Sequence, residues 1–299
     1  MPEQKSALNI VLGTAVFGDK GYELIPLKLE WQKRGLVMMT KLYPTAAISK
    51  VDHPSLYHHN ADGLRRGLEA SLKALKADKI DTFYLHGPDR SVPYEETLKA
   101  VNELYKEGKF RRFGLSNFMS WEVAEMVMIC RRNGWIQPTI YQGLYNAIQR
   151  AVEPELFPCL RKCNFYEFNP LGGGFFTGKY ADKNAEVAAG SRFDASIGIV
   201  EQMTRKRYWN DSYFQAVGLV REVCNKHGLT MGEVALRWLS HHSLLKREHG
   251  DSVLVGGSNV QQIQENLDNL DKGPLPEEVC KVLDEAWEIV KAVATPYYH

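Results

Sequence analysis

The sequence of 299 residues lacks an excess of charge of either sign. Thirty-seven lysine and arginine residues are balanced by 36 aspartate and glutamate residues, which leaves a formal net charge of +1. Because non-specific binding to nucleic acid or to an anionic membrane surface needs a strongly positive surface, this balance argues against both partners. Any anionic ligand must therefore bind at a local site.

Long apolar runs and a disulfide framework are also missing. No segment approaches the roughly 20 apolar residues that a membrane-spanning helix needs, and Met1 is followed by polar residues rather than by the apolar core of a signal peptide. The five cysteines are odd in number and scattered, which is typical of a reducing compartment. Cys159 and Cys163 lack a second pair of ligands for zinc. We therefore expect a cytoplasmic protein without a metal.

The composition does supply enough apolar material for a large core. Hydrophobic residues make up 44% of the chain and charged residues 24%, so disorder is excluded. A single α/β barrel takes about 250 residues, and the sequence contains no linker or low-complexity tract. We expect one domain over residues 1–299.

Short β-rich segments alternate with longer amphipathic segments along the chain, as in a parallel sheet with crossover helices. The seven predicted strands are Asn9–Thr14, Leu36–Lys41, Thr82–His86, Phe113–Ser116, Thr139–Gln142, Phe165–Asn169 and Ser252–Val255. The predicted helices are Ala61–Leu75, Tyr94–Glu107, Trp121–Asn133, Tyr213–His227, Met231–His242, Gln261–Leu270 and Glu277–Lys291. This alternation predicts an α/β fold of the (β/α)8 barrel type.

Polar side chains stand at the carboxyl ends of five predicted strands. In an α/β barrel these ends build the face that carries the active site. A single polar residue there is consistent with a solvated loop, but five successive ones favour a functional site. They are Lys41, His86, the pair Ser116 and Asn117, Gln142, and Asn169.

Several longer motifs make the chain resemble the aldo-keto reductases, and within that family the aflatoxin-aldehyde reductase branch and its fungal relatives. The resemblance covers nearly the whole chain. It rests on GTAVFG, TKLYP, DTFYLHGPD, KFRRFGLSNF, WEVAE, YQGLYNAI, ELFPCLR, FNPLGGGFFTGKY and GGSNVQQIQENL.

The resemblance implies a (β/α)8 TIM-type barrel that reduces an aldehyde or ketone to an alcohol with NADPH. It also implies a small-molecule carbonyl substrate, a homodimer, and a tailoring step in fungal secondary-metabolite biosynthesis. Hydride transfer to a carbonyl produces an alkoxide, so the site must stabilise negative charge and deliver a proton. Lys41 and His86 match the family's catalytic lysine and histidine, and we expect His86 to bind the carbonyl oxygen.

The resemblance also assigns the cofactor site. Ser116, Asn117 and Gln142 match residues that bind the nicotinamide carboxamide. The segment expected to approach the pyrophosphate consists of Asn169, Pro170, Leu171, Gly172, Gly173, Gly174, Phe175, Phe176, Thr177, Gly178 and Lys179. The segment expected to bind the adenine ribose and its 2′-phosphate contains Gly257, Ser258, Asn259, Gln262 and Asn266.

The same glycine-rich run partly matches the phosphate-binding loop of NTPases. Gly173 is followed, after four residues, by Gly178 and Lys179. Tyr180 then stands where that loop needs the serine or threonine hydroxyl that ligates Mg²⁺, and no helical pattern follows. These two differences argue against an NTPase.

The main departure from the family lies near the N-terminus. Only 17 residues separate Gly18 from Leu36, whereas one βα unit takes about 30. The segment between Gly18 and Glu23 is therefore shortened, and the fold is expected to lack the second strand and its flanking helices. The family's catalytic aspartate and tyrosine belong to that strand, and neither can be placed.

Three tyrosines could replace the missing proton donor, namely Tyr22, Tyr43 and Tyr145, and Tyr43 is favoured because it lies two residues beyond Lys41. His86 could also act as the acid in its imidazolium form, with a rate that falls through neutral pH. The alternative is a non-catalytic relative that binds NADPH without transferring hydride. The loop expected over residues 181–209 does not identify the substrate, although Arg205, Arg207, Tyr208 and Trp209 could reach it.

Overall fold

The computed structural model describes residues 6–13, 33, 35–49, 53, 56–160 and 163–299. The chain forms two compact units. The described residues of the first unit are 6–13, 144–153 and 166–296, and those of the second are the described residues from 33 to 143 together with 154–160, 163–165 and 297–299. The expectation of a single domain stays a prediction.

The second unit alternates parallel strands with helices. Strand β2 pairs with β3, β3 with β4, and β4 with β5, all in parallel, and the register places Lys41 opposite Tyr84. The strands are β2 (Met39–Leu42), β3 (Ile80–Leu85), β4 (Phe110–Ser116) and β5 (Pro138–Leu144), whose last residue belongs to the first unit. The helices are α1 (Thr45–Ile48), α2 (Ala61–Leu75), α3 (Tyr94–Lys106), α4 (Ser120–Asn133) and α5 (Leu156–Cys159).

Helix α2 shows how local sequence determines these elements. The Asn60 side chain accepts a hydrogen bond from the Gly63 N–H and caps the helix, and Lys76 ends it in a left-handed conformation. Leu64, Leu68 and Leu72, which recur every fourth residue, are buried. Their alignment turns one apolar face of the helix toward the core.

The first unit is also built from parallel strands and helices. Strand β7 pairs with β1 and with the end of β6, so that Ser252 lies opposite both Asn9 and Tyr166. The strands are β1 (Asn9–Leu12), β6 (Asn164–Phe168), whose first two residues belong to the second unit, and β7 (Ser252–Val255). The helices are α6 (Ile199–Tyr208), α7 (Asp211–Lys226), α8 (Met231–His241), α9 (Val260–Leu270) and α10 (Glu277–Val290).

These elements confirm the predicted α/β class, with the parallel strand and helix alternation of a TIM-type barrel. The described residues contain seven strands, one fewer than a complete barrel of this type. The predicted shortening between Gly18 and Glu23 lies outside the described residues. Within the described ranges, no helix combines the length and apolarity needed to cross a membrane.

The expectation of a plain loop over residues 181–209 was wrong, because α6 occupies residues 199–208. Its sequence, IVEQMTRKRY, has a weak apolar stripe, and no side chain caps its N-terminus at Gly198. Since periodicity and capping residues are the sequence signals of a helix, this helix carries neither signal. An ion pair one turn apart, between Arg205 and Glu201, stabilises it instead.

Strand β6 carries an unusual buried acid, Glu167. Neither of its carboxyl oxygens has a hydrogen-bond partner among the described residues, and the side chain is 0% exposed. Burial raises its pKa well above the ordinary value because the charged form loses its hydration. The folded state therefore binds a proton at Glu167 more tightly than the unfolded state does.

We expect Glu167→Gln to raise the melting temperature more at pH 8 than at pH 5. A raised folded-state pKa contributes stability that is fully present below the unfolded value and is lost as pH rises toward the folded value. Removing the ionisable group should therefore help the folded state at pH 8 and have no such effect at pH 5, where the carboxyl is already protonated. Thermal unfolding across pH measures this, with Glu285→Gln on the exposed face of α10 as the control. Equal shifts for both variants at both pH values would contradict the assignment.

Candidate active site

Lys41 lies at the third position of β2, and its side chain reaches solvent. Its Nζ donates a short hydrogen bond to Gln142 Oε1 on β5. Among the described residues no carboxylate lies within ion-pair distance of the amine. The surrounding protein still removes enough water to lower the pKa of Lys41 to about 8. The ammonium group therefore reaches solvent, and among the described residues its hydrogen-bond partner is the neutral amide of Gln142.

His86 follows directly after β3 and is half-buried. Its backbone N–H donates to the carbonyl of Leu42 at 2.9 Å, which ties it to the end of β2. Burial lowers the pKa of His86 to about 3, with further contributions from the positive charges of Lys41 and His299. The expected imidazolium acid is therefore wrong, because the ring is neutral near pH 7. A neutral ring can still donate one N–H hydrogen bond.

The three candidate tyrosines have different environments. Tyr43 is half-buried, and its ring meets His86 edge-on with centroids 5.7 Å apart. Burial raises the pKa of Tyr43, so its hydroxyl keeps its proton at neutral pH. Tyr145 is fully buried; its hydroxyl donates to Glu153 at 2.7 Å and accepts from the Leu244 N–H. Tyr145 is therefore unable to serve a substrate, and Tyr22 lies outside the described residues.

Three polar residues line the ends of β4 and β5 in the same unit. Ser116, Asn117 and Gln142 are each at most 5% exposed. Asn117 has a left-handed backbone with φ +64°, and its amide donates to the His86 carbonyl at 2.7 Å and to Ser116 Oγ at 3.1 Å. Asparagine tolerates this conformation better than most residues. The structure thus brings Lys41, His86, Ser116, Asn117 and Gln142 together.

In the first unit, the glycine-rich segment forms tight turns over residues 172–177. Gly172, Gly173, Gly174 and Gly178 all have positive φ, and a Cβ at Gly174 would meet nothing within 4 Å. The backbone is therefore open at Gly174, and a side chain at any of these four glycines would be strained. No helix follows Lys179, which agrees with the argument against an NTPase loop.

The other residues of this segment are fixed by packing. The Phe175 and Phe176 side chains are 0% exposed, and Phe175 stacks on Tyr208. Thr177 Oγ1 donates to the Gly174 carbonyl at 2.7 Å. Asn169 has φ +73°, and its amide donates to the Tyr208 hydroxyl at 3.0 Å. The aromatic side chains thus belong to the core. Pro170, Leu171 and Lys179 flank the glycines on either side.

Arg192 lies beside the glycine-rich segment, and the charge of Arg207 acts on it. A Cβ on Gly173 would lie 3.4 Å from Arg192 Cδ. Burial and the charge of Arg207 lower the pKa of Arg192. Neither guanidinium forms an ion pair with a carboxylate that the structure describes. Sequence reasoning missed Arg192 because it lies in a segment without regular structure, whereas Arg207 was noted only as one of several residues that could reach a substrate.

The segment before α9 forms a compact N-terminal cap. The Ser258 N–H and hydroxyl both donate to Gln262 Oε1 at 2.9 Å, and the Asn259 side chain accepts from the Gln262 N–H. Asn266 donates to the Gly256 carbonyl at 3.1 Å. The backbone at Gly257 approaches Gln262 and Ile263 closely. Ser258, Asn259 and Gln262 therefore form one hydrogen-bonded group, with Gly257 and Asn266 beside it.

Comparison with known proteins gives consistent matches. The model of the Aldo/keto reductase family matches residues 23–288. An aldo-keto reductase of Pseudocercospora fijiensis is 47% identical over 285 residues, covering 95% of this chain and 94% of that protein. The aldo-keto reductase pigE of Monascus ruber is 47% identical over 288 residues, covering 95% and 84%. Aflatoxin B1 aldehyde reductase member 4 of Homo sapiens is 42% identical over 245 residues, covering 79% and 73%.

We expect Gln142→Glu to raise the pKa of Lys41 above about 8. A carboxylate in place of the amide would favour the charged ammonium, whereas the wild-type partner is neutral. The pH dependence of Lys41 modification by an amine-reactive reagent, followed by mass spectrometry, measures this pKa. Gln137→Glu, which adds the same charge elsewhere in the second unit, should leave it unchanged. An unaltered Lys41 titration in Gln142→Glu would show that the two groups do not interact.

Proposed function

The chain belongs to the aldo/keto reductase family, and we propose that it reduces an aldehyde or ketone to the alcohol with NADPH. The observation that carries the proposal is the grouping of Lys41 and His86 beside Asn117 and Gln142 at the ends of adjacent parallel strands. A positive charge and a neutral N–H donor are what a developing alkoxide needs.

The residues present fit a nicotinamide dinucleotide. Ser116, Asn117 and Gln142 offer the hydroxyl and amide groups that suit a carboxamide. Gly174, where a Cβ would meet nothing within 4 Å, leaves backbone open to a pyrophosphate, and Arg192 beside Gly173 supplies positive charge. The Ser258 and Gln262 pair at the start of α9 would hold the adenine ribose and its 2′-phosphate. When bound, NADPH supplies the hydride.

The chain's own residues would stabilise the negative charge on the carbonyl oxygen and supply its proton. His86, neutral at pH 7, would donate its ring N–H to the carbonyl oxygen and orient the substrate. Lys41 would stabilise negative charge on that oxygen through its ammonium group. We assign the proton transfer to the Tyr43 hydroxyl, because Tyr43 is the candidate tyrosine beside His86 among the described residues. Burial keeps its proton in place until the oxygen becomes basic.

A second candidate function is NADPH binding without hydride transfer. It is favoured by the partner of Lys41, which is the neutral amide of Gln142 rather than a carboxylate. The raised pKa of Tyr43 also makes it a weak acid. In this alternative the cofactor-binding segments are intact, and hydride transfer is slow or absent.

The biological setting remains at the level of family resemblance. We propose a tailoring step in fungal secondary-metabolite biosynthesis, supported by the fungal relatives at 47% identity. An aldehyde substrate is supported by the name of the human relative, which is an aldehyde reductase. The homodimer and the cytoplasmic location stay predictions.

NADPH should bind more tightly than NADH, because the start of α9 is arranged around Ser258 and Gln262. Fluorescence titration of both cofactors measures this. Ser258→Asp should weaken NADPH selectively by repelling its 2′-phosphate, whereas Gln264→Glu on the exposed face of the same helix should not. Equal affinities of the wild type for the two cofactors would remove the NADP assignment.

The protein should reduce 4-nitrobenzaldehyde in single-turnover experiments with NADPH. His86→Ala should slow the step by about 10²- to 10³-fold, and Tyr43→Phe by about 10²-fold or more. The rate should stay level through pH 6–7, where His86 is already neutral, and fall as Lys41 loses its charge around pH 8. Tyr105→Phe on the exposed part of α3 is the matched control.

Two outcomes would contradict parts of this assignment. Tight NADPH binding without turnover would establish the non-catalytic alternative. A wild-type rate that is fast and unaffected by Tyr43→Phe would place the proton donor elsewhere.

A further inference from the structure

The carbonyl oxygen of Leu42 is shared by two histidines. It accepts the His86 backbone N–H at 2.9 Å and lies 3.2 Å from His59 Nε2. Leu42 stands between Lys41 and Tyr43, and its carbonyl belongs to the peptide bond with Tyr43. The His59 ring is 1% exposed, and burial lowers its pKa to about 4. The ring is therefore neutral, and Nε2 carries the proton that it donates.

Asp89 closes this arrangement into a circuit. It follows His86 by three residues, and its Oδ2 accepts the His59 backbone N–H at 2.9 Å. The same carboxylate accepts from the Ser91 N–H at 3.1 Å and faces His58 Nδ1 at 3.1 Å. Three hydrogen bonds therefore close a ring with the chain segment 86–89. They join His86 to Leu42, His59 to Asp89, and His59 to Leu42.

The same groups do not form a nucleophilic triad. Ser91 Oγ lies 3.4 Å from His58 Nδ1, and Asp89 contacts that same nitrogen. A triad needs the hydroxyl and the carboxylate on opposite nitrogens of the ring. The cluster therefore organises backbone rather than activating the serine.

Three glycines around these hydrogen bonds are closely packed against neighbouring residues. A Cβ on Gly63 would lie 2.1 Å from the His58 carbonyl oxygen, and one on Gly67 would lie 2.4 Å from Leu42 Cδ1. A Cβ on Gly87 would lie 3.0 Å from the Tyr43 ring. Gly67 and Gly87 let α2 and the loop after β3 pack against the end of β2, and Gly63 lets the first turn of α2 pack against the His58 backbone. The position of residues 41–43 therefore depends on what holds that loop and helix.

We propose that His59 is a positioning residue, which through the Leu42 carbonyl holds Lys41, Tyr43 and His86 in their working geometry. This inference rests on the proposed reductase function. His59 makes no contact with the substrate in this account, since it is buried behind the strand end. Replacing it with an apolar side chain leaves the Leu42 carbonyl with one donor and frees the segment that carries Lys41.

The test compares His59→Leu with His59→Gln, whose amide can reach the same carbonyl. His59→Leu should lower kcat by about tenfold or more, because small displacements of reacting groups are costly. KM and the NADPH affinity should change by less than about threefold, since none of the proposed cofactor contacts is removed. His59→Gln should recover most of the loss. The pKa of Lys41, followed by amine modification and mass spectrometry, should rise from about 8 in His59→Leu as water enters.

His242→Leu is the matched control. Its ring also serves a backbone group, accepting the Leu275 N–H at 2.8 Å, but it lies in the first unit. It should lower the melting temperature while leaving kcat and the Lys41 titration unchanged. If His59→Leu does not fold, Asp89→Asn takes its place, because it weakens the same circuit at the His59 N–H and should shift the Lys41 titration in the same direction.

The outcomes separate this proposal from the proposed function. If the wild type reduces no carbonyl, the reductase assignment fails, and the Lys41 titration still decides the role of His59. An unchanged Lys41 titration together with an unchanged kcat in a folded His59→Leu variant would overturn the positioning role. Loss of activity that His59→Gln does not restore would overturn it as well.

Discussion

The site depends on an amine held at the end of a strand with no described carboxylate beside it. Partial loss of water lowers the pKa of Lys41, and the charge that it retains helps to keep His86 neutral. Burial thus lowers the pKa of both groups, and the charge of Lys41 adds to the effect at His86. The neutral amide of Gln142 satisfies the lysine without cancelling its charge, so the field at the strand ends stays positive. A positive field of this kind stabilises negative charge that develops in a transition state.

In each of the two units an asparagine with a left-handed backbone follows a strand. Asn117 and Asn169 each follow a strand directly and each adopt a left-handed conformation, and their amides bind neighbouring groups within their own units. Strain of this kind is tolerated where the surroundings fix the chain, and it is concentrated at functional sites. In the second unit, the Asn117 amide donates to the His86 carbonyl and so connects the end of β4 to the residue after β3. In the first unit, Asn169 precedes the glycine-rich segment.

Lys41, His86 and the polar ends of β4 and β5 could be predicted because chemistry at strand ends is visible in the sequence, and Ser252–Val255 and Ala61–Leu75 were predicted with the observed bounds. Other features could not. Helix α6 lacks a cap and a strong apolar stripe, and Glu167 is acidic in a strand that otherwise reads as core. The protonation state of His86 depends on charges that are distant in sequence, and no local pattern encodes it.

The glycines around the end of β2 also bear on how this protein can diverge. At Gly63 even a methyl group would overlap the backbone carbonyl of His58, and at Gly67 it would force the Leu42 side chain to shift. Residues 181–209, by contrast, include exposed side chains, such as those of Glu186, Ala188 and Ala189. The exposed positions of residues 181–209 can therefore change more freely than the glycines that pack around the end of β2. Sequence divergence among related chains should be concentrated at those exposed positions.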